Sequence, residues 1–596
     1  MLFGKYVNKY YLKYWFLFLI GILCLAAVDV AQTFIPRYLG QIIDDNNELI
    51  ANQDNLLQLI FGILICASVM FIGRCVWRLT IFRASGNIEM GLRKEMFLKA
   101  ERLSTAYYHE NKVGNIMNWF TTDIETIGEF YGWGTVMLVD AIFLSIIVIV
   151  QMIMVNIWMT LIALVPIILI VVWGALVEKY MTVKWEERQG AEDRLYDFAQ
   201  ENFTGIRVIK AFVKENKELH AFAKIAKNCK DINIRFARMS VLFDVLIEII
   251  IALELAFVLG FGGWFIYAFA VGSPIILFGI SIDITVGQLV QFVGYIDLLV
   301  WPMIALGQIV TMRSRAKGSL NRITNFLDTP EEIHNCDNPI VLNDVKGKIE
   351  FKNFSFAYPS NDHDSLEDIS LTINPGETVG IVGKIGSGKT TLVSVLFRLY
   401  NIKEGTIFID GNDLMKCDIE SLRDNIAYAP QDNFLYSDEI KNNIAFSSNV
   451  VDQEKVEEAA RFADVHYNII DFPKGYETVS GERGVTLSGG QKQRISIARA
   501  FFKKAPILVL DDSVSAVDVK TEETILDNIK VQRKDMTTIV VASRVSTVSH
   551  MDKIIVLDNG KLEAFGNHQE LMKKSKVYQR MVFLQELEKE AEGGGQ

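Results

Sequence analysis

The first half of the chain contains six apolar runs, at about 15–36, 57–79, 131–154, 157–178, 243–269 and 287–311. A helix crosses the hydrocarbon core of a bilayer with about 20 apolar residues, whereas an apolar run of about 10–14 reads as a buried core helix. The first run, WFLFLIGILCLAAVDVAQTFIP, is too long for a secretory h-region and lacks a cleavage site, so it is expected to stay in the membrane. Residues 340–590, by contrast, read as a soluble protein. The chain must therefore fold in two solvents.

Composition agrees. Of 596 residues, 50% are hydrophobic and 22% charged, which excludes a disordered polar chain, a collagen-like fibre and a small disulfide-stapled domain. The net charge of −11 argues against a nucleic-acid partner. The six cysteines include no Cys-x-x-Cys pair, so neither a zinc site nor a disulfide framework is expected.

Orientation follows from Lys and Arg. Lys5, Lys9 and Lys13 precede the first run, Arg83, Arg93, Lys94, Lys99, Arg102 and Lys112 follow the second, and Arg313, Arg315, Lys317 and Arg322 follow the sixth. The opposite side carries Asp44, Asp45, Glu48 and Asp54 against the single base Arg37. Both termini are thus expected in the cytosol of a multi-pass protein of the cell membrane, with bacteria the expected source. The segments between runs two and three and between runs four and five are long, helix-compatible and poor in Gly and Pro. They read as helical hairpins reaching below the bilayer, with tips near 113–123 (VGNIMNWFTTD) and 205–213 (GIRVIKAFV). The expected domains are a six-helix membrane domain at 1–312, a linker at 313–340, a nucleotide-binding domain at 341–586 and a disordered tail at 587–596.

The soluble half carries its chemistry openly. An apolar run, Val379 to Val382, leads into Gly383-Lys384-Ile385-Gly386-Ser387-Gly388-Lys389-Thr390-Thr391 and then a helical pattern. This is a P-loop in its strand–loop–helix context. Its glycines let backbone N–H groups curl around phosphates at a helix N-terminus. Lys389 adds a point charge for the β/γ-phosphates, and Thr390 offers an oxygen to Mg²⁺. Downstream, Ile507-Leu-Val-Leu-Asp511-Asp512 reads as a buried parallel strand ending in an acid at the nucleotide edge of a sheet, with Asp511 the expected Mg²⁺ carboxylate. Between them lies Leu487-Ser488-Gly489-Gly490-Gln491, a second phosphate-binding surface at a helix start. One chain cannot easily wrap both surfaces around one ATP, but a head-to-tail pair can.

The six runs with GKIGSGKTT, LSGGQ and ILVLDD resemble a half-transporter of the ATP-binding cassette exporter family. The resemblance covers nearly the whole chain. It implies a type I exporter (type IV) fold: an all-α membrane domain followed by an α/β P-loop domain. It implies ATP and Mg²⁺ as cofactors, and two chains per transporter. Tyr358 matches the aromatic that stacks on adenine, and Gln431 the Gln that contacts Mg²⁺. Gly481-Glu482-Arg483-Gly484 matches the segment facing the cytosolic hairpins, and Ser515-Ala-Val-Asp518 the loop across the dimer seam. The hairpin tips would be coupling helices.

Two positions depart from the family pattern. Where the family has the Glu that polarises water, this chain has Asp512, whose carboxylate is one methylene shorter. A displacement of about 1 Å can cost about 10²-fold in rate. Where the family has its switch histidine, this chain has Ser543; the nearest histidine is His550. Both changes strike one hydrolytic step, in a reaction catalysed by positioning and charge. The resemblance is therefore to the degenerate-site subunit of a heterodimeric multidrug exporter. Its partner would be a second, different half-transporter subunit.

The runs contain Asp29, Asp140, Glu248, Glu254 and Asp297, but no Lys or Arg beyond Arg74 and Arg78. Intramembrane acids mark pathways by default. Asp140, Glu248, Glu254 and Asp297, with Trp133, Trp264 and Tyr295, are the expected lining of a cavity for small amphipathic cations. Importer, lipid or peptide exporter and nucleotide-gated channel remain open as alternatives.

Overall fold

The computed structural model describes residues 4–44, 53–272, 276–277, 280–281, 284–359, 361, 363–481, 484–514 and 517–593. The chain divides into two compact units, Met1–Glu101 with Val113–Thr329, and Arg102–Lys112 with Pro330–Gln596.

The first unit is built from α1 (Lys5–Asp44), α2 (Gln53–Arg102), the helix between Val113 and Val155, Ile157–Thr204, Ile206–Ala211, Glu215–Ala270 and Val286–Asp328. The short helix Thr105–Glu110 belongs to the second unit. In chain order it is α3, and the others become α4 (Val113–Val155), α5 (Ile157–Thr204), α6 (Ile206–Ala211), α7 (Glu215–Ala270) and α8 (Val286–Asp328). Among the described residues, α1, α2, α4 and α8 are long and apolar enough to cross a membrane. The expected runs 157–178 and 243–269 lie within α5 and α7, outside those four.

Local chemistry sets the boundaries. Asn156, extended at φ −161°, separates α4 from α5 and accepts hydrogen bonds from the Trp158 and Met159 N–H groups. Thr285 caps α8 in a reciprocal capping box with Gln288. Helices α1 and α8 approach closely because two contacts lack side chains. A Cβ on Gly40 would lie 2.7 Å from the Gly287 carbonyl, and one on Gly294 would lie 2.8 Å from Pro36. Small residues at such crossings are how helices pack tightly where no hydrophobic drive separates protein from lipid.

Helix α4 contains three π-helical segments, Trp119–Asp123, Phe130–Gly134 and Asp140–Leu144. Each inserts an extra residue per turn and re-aims the face that follows. Two of them carry buried acids that α8 engages. Asp123 accepts from Ser319 Oγ at 2.8 Å and from Arg322 Nε at 2.8 Å, while Asp140 accepts from Trp301 Nε1 at 2.9 Å.

Among the described residues, the second unit holds a ten-stranded sheet. After a two-residue hairpin in the first unit, β1 (Ile276–Leu277) and β2 (Ile280–Ser281), its strands are β3 (Ile349–Phe356), β4 (Leu366–Ile373), β5 (Thr378–Gly383), β6 (Ile407–Ile409), β7 (Asn412–Asp413), β8 (Ile426–Ala429), β9 (Ile507–Asp511), β10 (Thr537–Val541), β11 (Lys553–Asp558) and β12 (Lys561–Gly566). Their spatial order is β7-β6-β3-β4-β12-β11-β5-β10-β9-β8. The block β8-β9-β10-β5-β11 is parallel. Its central strands are buried on both faces, which is why β9 reads as an unbroken apolar run rather than an alternation. Each fully buried Leu, Ile or Val contributes about 1.5–3 kcal/mol of transfer free energy. Parallel pairing brings the ends of β5, β9 and β10 to one edge.

Three expectations are corrected. Helix α8 continues to Asp328, so 313–328 is not linker; the connection without helix begins at Thr329. Its helical pattern carries buried Ala316, Ser319, Leu320 and Ile323, a stripe at helical spacing hidden among surface charges. The first hairpin tip is not 113–123, which opens α4, but α3, which starts eight residues earlier. Ser104 caps α3, and Thr105 Oγ1 donates to the Leu399 carbonyl at 3.1 Å within the second unit. The tail is helical as far as Gly593, and residues 594–596 lie outside the described ones. The second tip, 205–213, coincides with α6.

Candidate functional site

The P-loop connects β5 to the helix Lys389–Ser394. Gly386 and Gly388 have φ of 82° and 92°, backbone that side chains other than glycine's rarely adopt. A Cβ on Gly383 would lie 2.4 Å from the Leu557 carbonyl and 2.5 Å from Ser387 Oγ. The loop is thus a cradle held open by absent side chains. Lys384 pairs with Asp558 at 3.3 Å, and Ile385 is fully exposed, so its contribution is backbone alone. Ser387 Oγ is buried without a hydrogen-bond partner among the described residues, as a group waiting for phosphate would be.

Lys389 Nζ donates to the Gly383 and Lys384 carbonyls, each at 2.9 Å. Burial pushes its ammonium below the ordinary value, against the pull of Asp512 and Asp511. Thr390 Oγ1 donates to Asp511 Oδ1 at 3.2 Å, and Tyr428 OH to Asp511 Oδ2 at 3.3 Å. Burial pushes the Asp511 carboxyl up, opposed by these two hydrogen bonds. A fully buried carboxylate beside a hydroxyl and the Gln431 amide is a hard-oxygen set suited to Mg²⁺.

Asp512 follows at φ 47°, a left-handed conformation that Asp tolerates, and its N–H donates to the Val541 carbonyl at 3.0 Å. Gln431 Nε2 donates to Asp512 Oδ2 at 3.3 Å. Ser543 stands just beyond β10. Tyr358 OH shares a 2.8 Å hydrogen bond with Thr391 Oγ1, and its ring lies edge-on to Tyr400 at 5.2 Å. Tyr400 OH in turn meets His109 Nδ1 of α3 at 3.5 Å, so α3, Tyr400 and Tyr358 share one cluster.

These residues enclose a cavity of about 510 Å³, lined by Tyr358, Ile385 to Thr391, Gln431, Asp511, Asp512 and Ser543. Sequence reasoning missed Asp364, Ser365, Asn559 and Gly560 in the same wall. The Asn-Gly pair between β11 and β12 is a hairpin signal that could have flagged the last two. His550 lines a different cavity, with Glu523, Asp527 and Asp552, and does not replace the missing histidine.

Ser488, Gly489, Gly490 and Gln491 are not in the nucleotide cavity's wall. Ser488 caps the helix Gly489–Phe502 in a reciprocal box with Gln491. Its surface is open: a Cβ on Gly489 would meet nothing within 4 Å. Glu482, Arg483, Ser515 and Ala516 lie outside the described residues.

Residues 18–303 match the ABC transporter transmembrane region, and residues 366–515 match the ABC transporter family of ATP-binding segments. The chain belongs to the ABC transporter family. It is 33% identical over 99% of its length, and 99% of the relative's, to "Probable multidrug resistance ABC transporter ATP-binding/permease protein YheI" of Bacillus subtilis (strain 168). It is 33% identical over 98% of its length, and 96% of the relative's, to multidrug resistance-like ATP-binding protein MdlA of Escherichia coli (strain K12). The structure of a bacterial Atm1-family ABC exporter with ATP bound matches 97% of this chain and 99% of that one, at 25% identity and a TM-score of 0.78. This ABC exporter is an ATPase-coupled transporter with a membrane unit and an ATP-binding unit in one chain. Bound Mg²⁺-ATP supplies the phosphoryl bond whose cleavage releases the energy. Residues 383–391 would cradle its phosphates, Thr390, Asp511 and Gln431 would offer oxygens to Mg²⁺, and Tyr358 would face the base.

In the membrane unit, Asp140 and Glu254 are buried, each with a carboxylate oxygen lacking a hydrogen-bond partner among the described residues. Asp29 is buried in the same way, and interacts electrostatically with Asp140 and Arg74. Glu248 and Asp297 are exposed in this chain, as are Trp133 and Trp264. Tyr295 is fully buried and accepts from Gln291 Nε2 at 2.7 Å, so it is a core residue rather than cavity lining.

Proposed function

We propose that this ABC exporter is one half of a heterodimer that exports amphipathic, cationic, drug-like compounds across the cell membrane. Its own ATP site holds nucleotide and hydrolyses it poorly. The observation that carries this reading is selective damage. Tyr358, Lys389, Thr390 and Asp511 keep their residue types and share one cavity, while the two hydrolytic positions hold Asp512 and Ser543. Asp512 is a short carboxylate held by Gln431, and a serine can neither carry positive charge nor reach as far as an imidazole.

The open Ser488-Gly489-Gly490-Gln491 surface supports a second chain, since no single chain closes its own cavity with it. In this reading the surface completes the partner's competent site. Two copies of this chain would make two weak sites, which favours an unlike partner. Six spans with both termini in the cytosol follow from the apolar runs and the Lys and Arg distribution. The cationic cargo rests on the acids of the membrane unit and on relatives named for multidrug resistance.

The test is phosphate release with Mg²⁺-ATP in excess, for the chain alone and together with a candidate partner. The chain alone should show almost no turnover, and addition of the partner should restore it. In that complex, Ser488→Ala should abolish hydrolysis. Robust turnover by a homodimer of the unmodified chain would sink the degenerate-site reading.

A further inference from the structure

The C-terminal helix, Lys576–Gly593, carries one side chain into the switch segment. Gln585 Nε2 donates to the Ser543 carbonyl at 3.2 Å, and Gln585 Oε1 accepts from the Val545 N–H at 2.7 Å. The amide thus brackets the residue at the switch position, holding the backbone on each side of Arg544. A primary amide is suited to this because it places one donor and one acceptor side by side. The Val545 N–H also opens a short helix, Val545–Val548, and would otherwise be an orphan helix-end donor.

Both ends of this clamp are anchored. The C-terminal helix is seated by Tyr578, which is fully buried and hydrogen-bonded to His568 Nδ1 at 2.7 Å. Val577, Met581 and Val582 of the same helix pack on the core beneath the sheet. On the other side, the Thr547 hydroxyl donates to buried Glu522 of the helix Val519–Gln532, which starts at the capping residue Asp518. Before the switch, the Ala542 N–H donates to the Ile381 carbonyl at 3.0 Å, so β10 holds its register up to Ser543. Residues 542–547 are therefore fixed from the sheet, from the helix after residue 518 and from the C-terminal helix.

We infer that Gln585 is a positioning residue for the nucleotide site: it fixes the Ser543 backbone so that Ser543 keeps its place in the cavity wall beside Asp512 and Gln431. Among the hydrogen bonds of the described residues, Gln585 reaches the cavity wall through Ser543, so it acts through the switch segment. It lies well beyond residues 366–515, where the family match ends, so motif comparison does not reveal it. The consequence is retention. With its switch serine held in place, the site keeps bound ATP; with the clamp removed, the wall at Ser543 moves and nucleotide leaves sooner.

The proposal rests on the ATP-binding role of this cavity and not on its degeneracy. The experiment measures release of radiolabelled Mg²⁺-ATP from the full-length chain in detergent, chased with unlabelled ATP, with phosphate release followed on the same samples. Gln585→Ala should speed nucleotide release by about five- to tenfold, in keeping with the loss of two hydrogen bonds. Gln585→Glu supplies the decisive arm. Its carboxylate can accept from Val545 but repels the Ser543 carbonyl, whereas the protonated acid presents one acceptor and one O–H donor, as the amide does. Release from Gln585→Glu should therefore be fast at about pH 8 and return to the wild-type rate as pH falls toward the carboxyl range, about 4.3. Wild type and Gln585→Ala, measured over the same pH range, should show no such convergence. Equal release from wild type and Gln585→Ala would overturn the proposal, and so would a Gln585→Glu protein that stays fast at every pH. Should Gln585→Ala fail to fold, the pH dependence of Gln585→Glu decides alone. Strong phosphate release by the wild-type chain would refute the degenerate-site reading while leaving the Gln585 dependence intact, so the two failures are distinguishable.

Discussion

Gln431 and Asp512 meet across the nucleotide cavity, Gln431 Nε2 donating to Asp512 Oδ2 at 3.3 Å. Asp512 reaches this point from a left-handed backbone position at the end of β9, tied to β10 by its N–H bond to Val541. The Asp512 carboxylate is therefore restrained by its own backbone as well as being one methylene shorter than a glutamate's. That combination makes the chemistry of this site testable by repair.

Asp512→Glu alone is expected to leave the isolated chain almost inactive, because Ser543 still provides no imidazole. Asp512→Glu with Ser543→His should raise phosphate release well above either single change. Groups that act as a unit in catalysis are strongly non-additive, so one repair of two recovers little. Full recovery by Asp512→Glu alone would show that Ser543 is not a lesion.

Lys389→Ala removes the ammonium that now rests on the Gly383 and Lys384 carbonyls. Nucleotide affinity at this chain's own site should fall by about tenfold or more, the scale of a charge-assisted hydrogen bond. In the proposed heterodimer, turnover should persist at the partner's site. A complex as inactive as one lacking the partner's catalytic carboxylate would argue against two unequal sites.

Asp123→Asn addresses the membrane unit. Asp123 is buried and takes hydrogen bonds from Ser319 and Arg322, but Arg322 itself is half-exposed, with a side-chain exposure of 53%. Breaking a buried pair costs about 3–5 kcal/mol, and solvent screening of Arg322 reduces this to about 2 kcal/mol. The thermal unfolding midpoint of the detergent-solubilised chain should drop accordingly, with nucleotide affinity unchanged. An unchanged midpoint would mean that the link between α4 and α8 is carried by apolar packing alone.

Asp140→Asn and Glu254→Gln should lower transport of cationic dyes more than of neutral ones in vesicles containing the complete transporter. Both acids are buried with an oxygen that no described residue satisfies. Asp297→Asn, at an exposed acid, offers the comparison from the opposite class of position. Equal losses for both dye types would assign these acids a structural role and remove the cation-recognition argument.

The nucleotide motifs were legible in the chain because their chemistry is local. Gly383 to Thr391 must be small where the backbone curls, and β9 must be apolar because both sheet faces are covered. Such requirements write themselves into consecutive residues. The apolar stretches of α1, α2, α4 and α8 were legible for a similar reason, since a bilayer demands length and hydrophobicity in one stretch. The end of α8 was not, because its last turns mix surface charges with a sparse buried stripe at Ala316, Ser319, Leu320 and Ile323. The first hairpin tip, expected at 113–123, begins eight residues earlier: a short polar helix, Thr105–Glu110, is identified by what it packs on, Leu399 and Tyr400, nearly 300 positions away. Tyr295 looked like a cavity aromatic and is a core residue, because which face of α8 is covered depends on its neighbours. Gln585 lies furthest from any sequence signal. A glutamine near the end of a surface helix resembles any solvated residue, and only the fold brings its amide onto the backbone of Ser543 and Val545. Sequence alone determines the chemistry that must occur within a few consecutive residues. Tertiary structure decides which distant groups meet, because hydrogen bonds act over about 3 Å of space and are indifferent to separation along the chain.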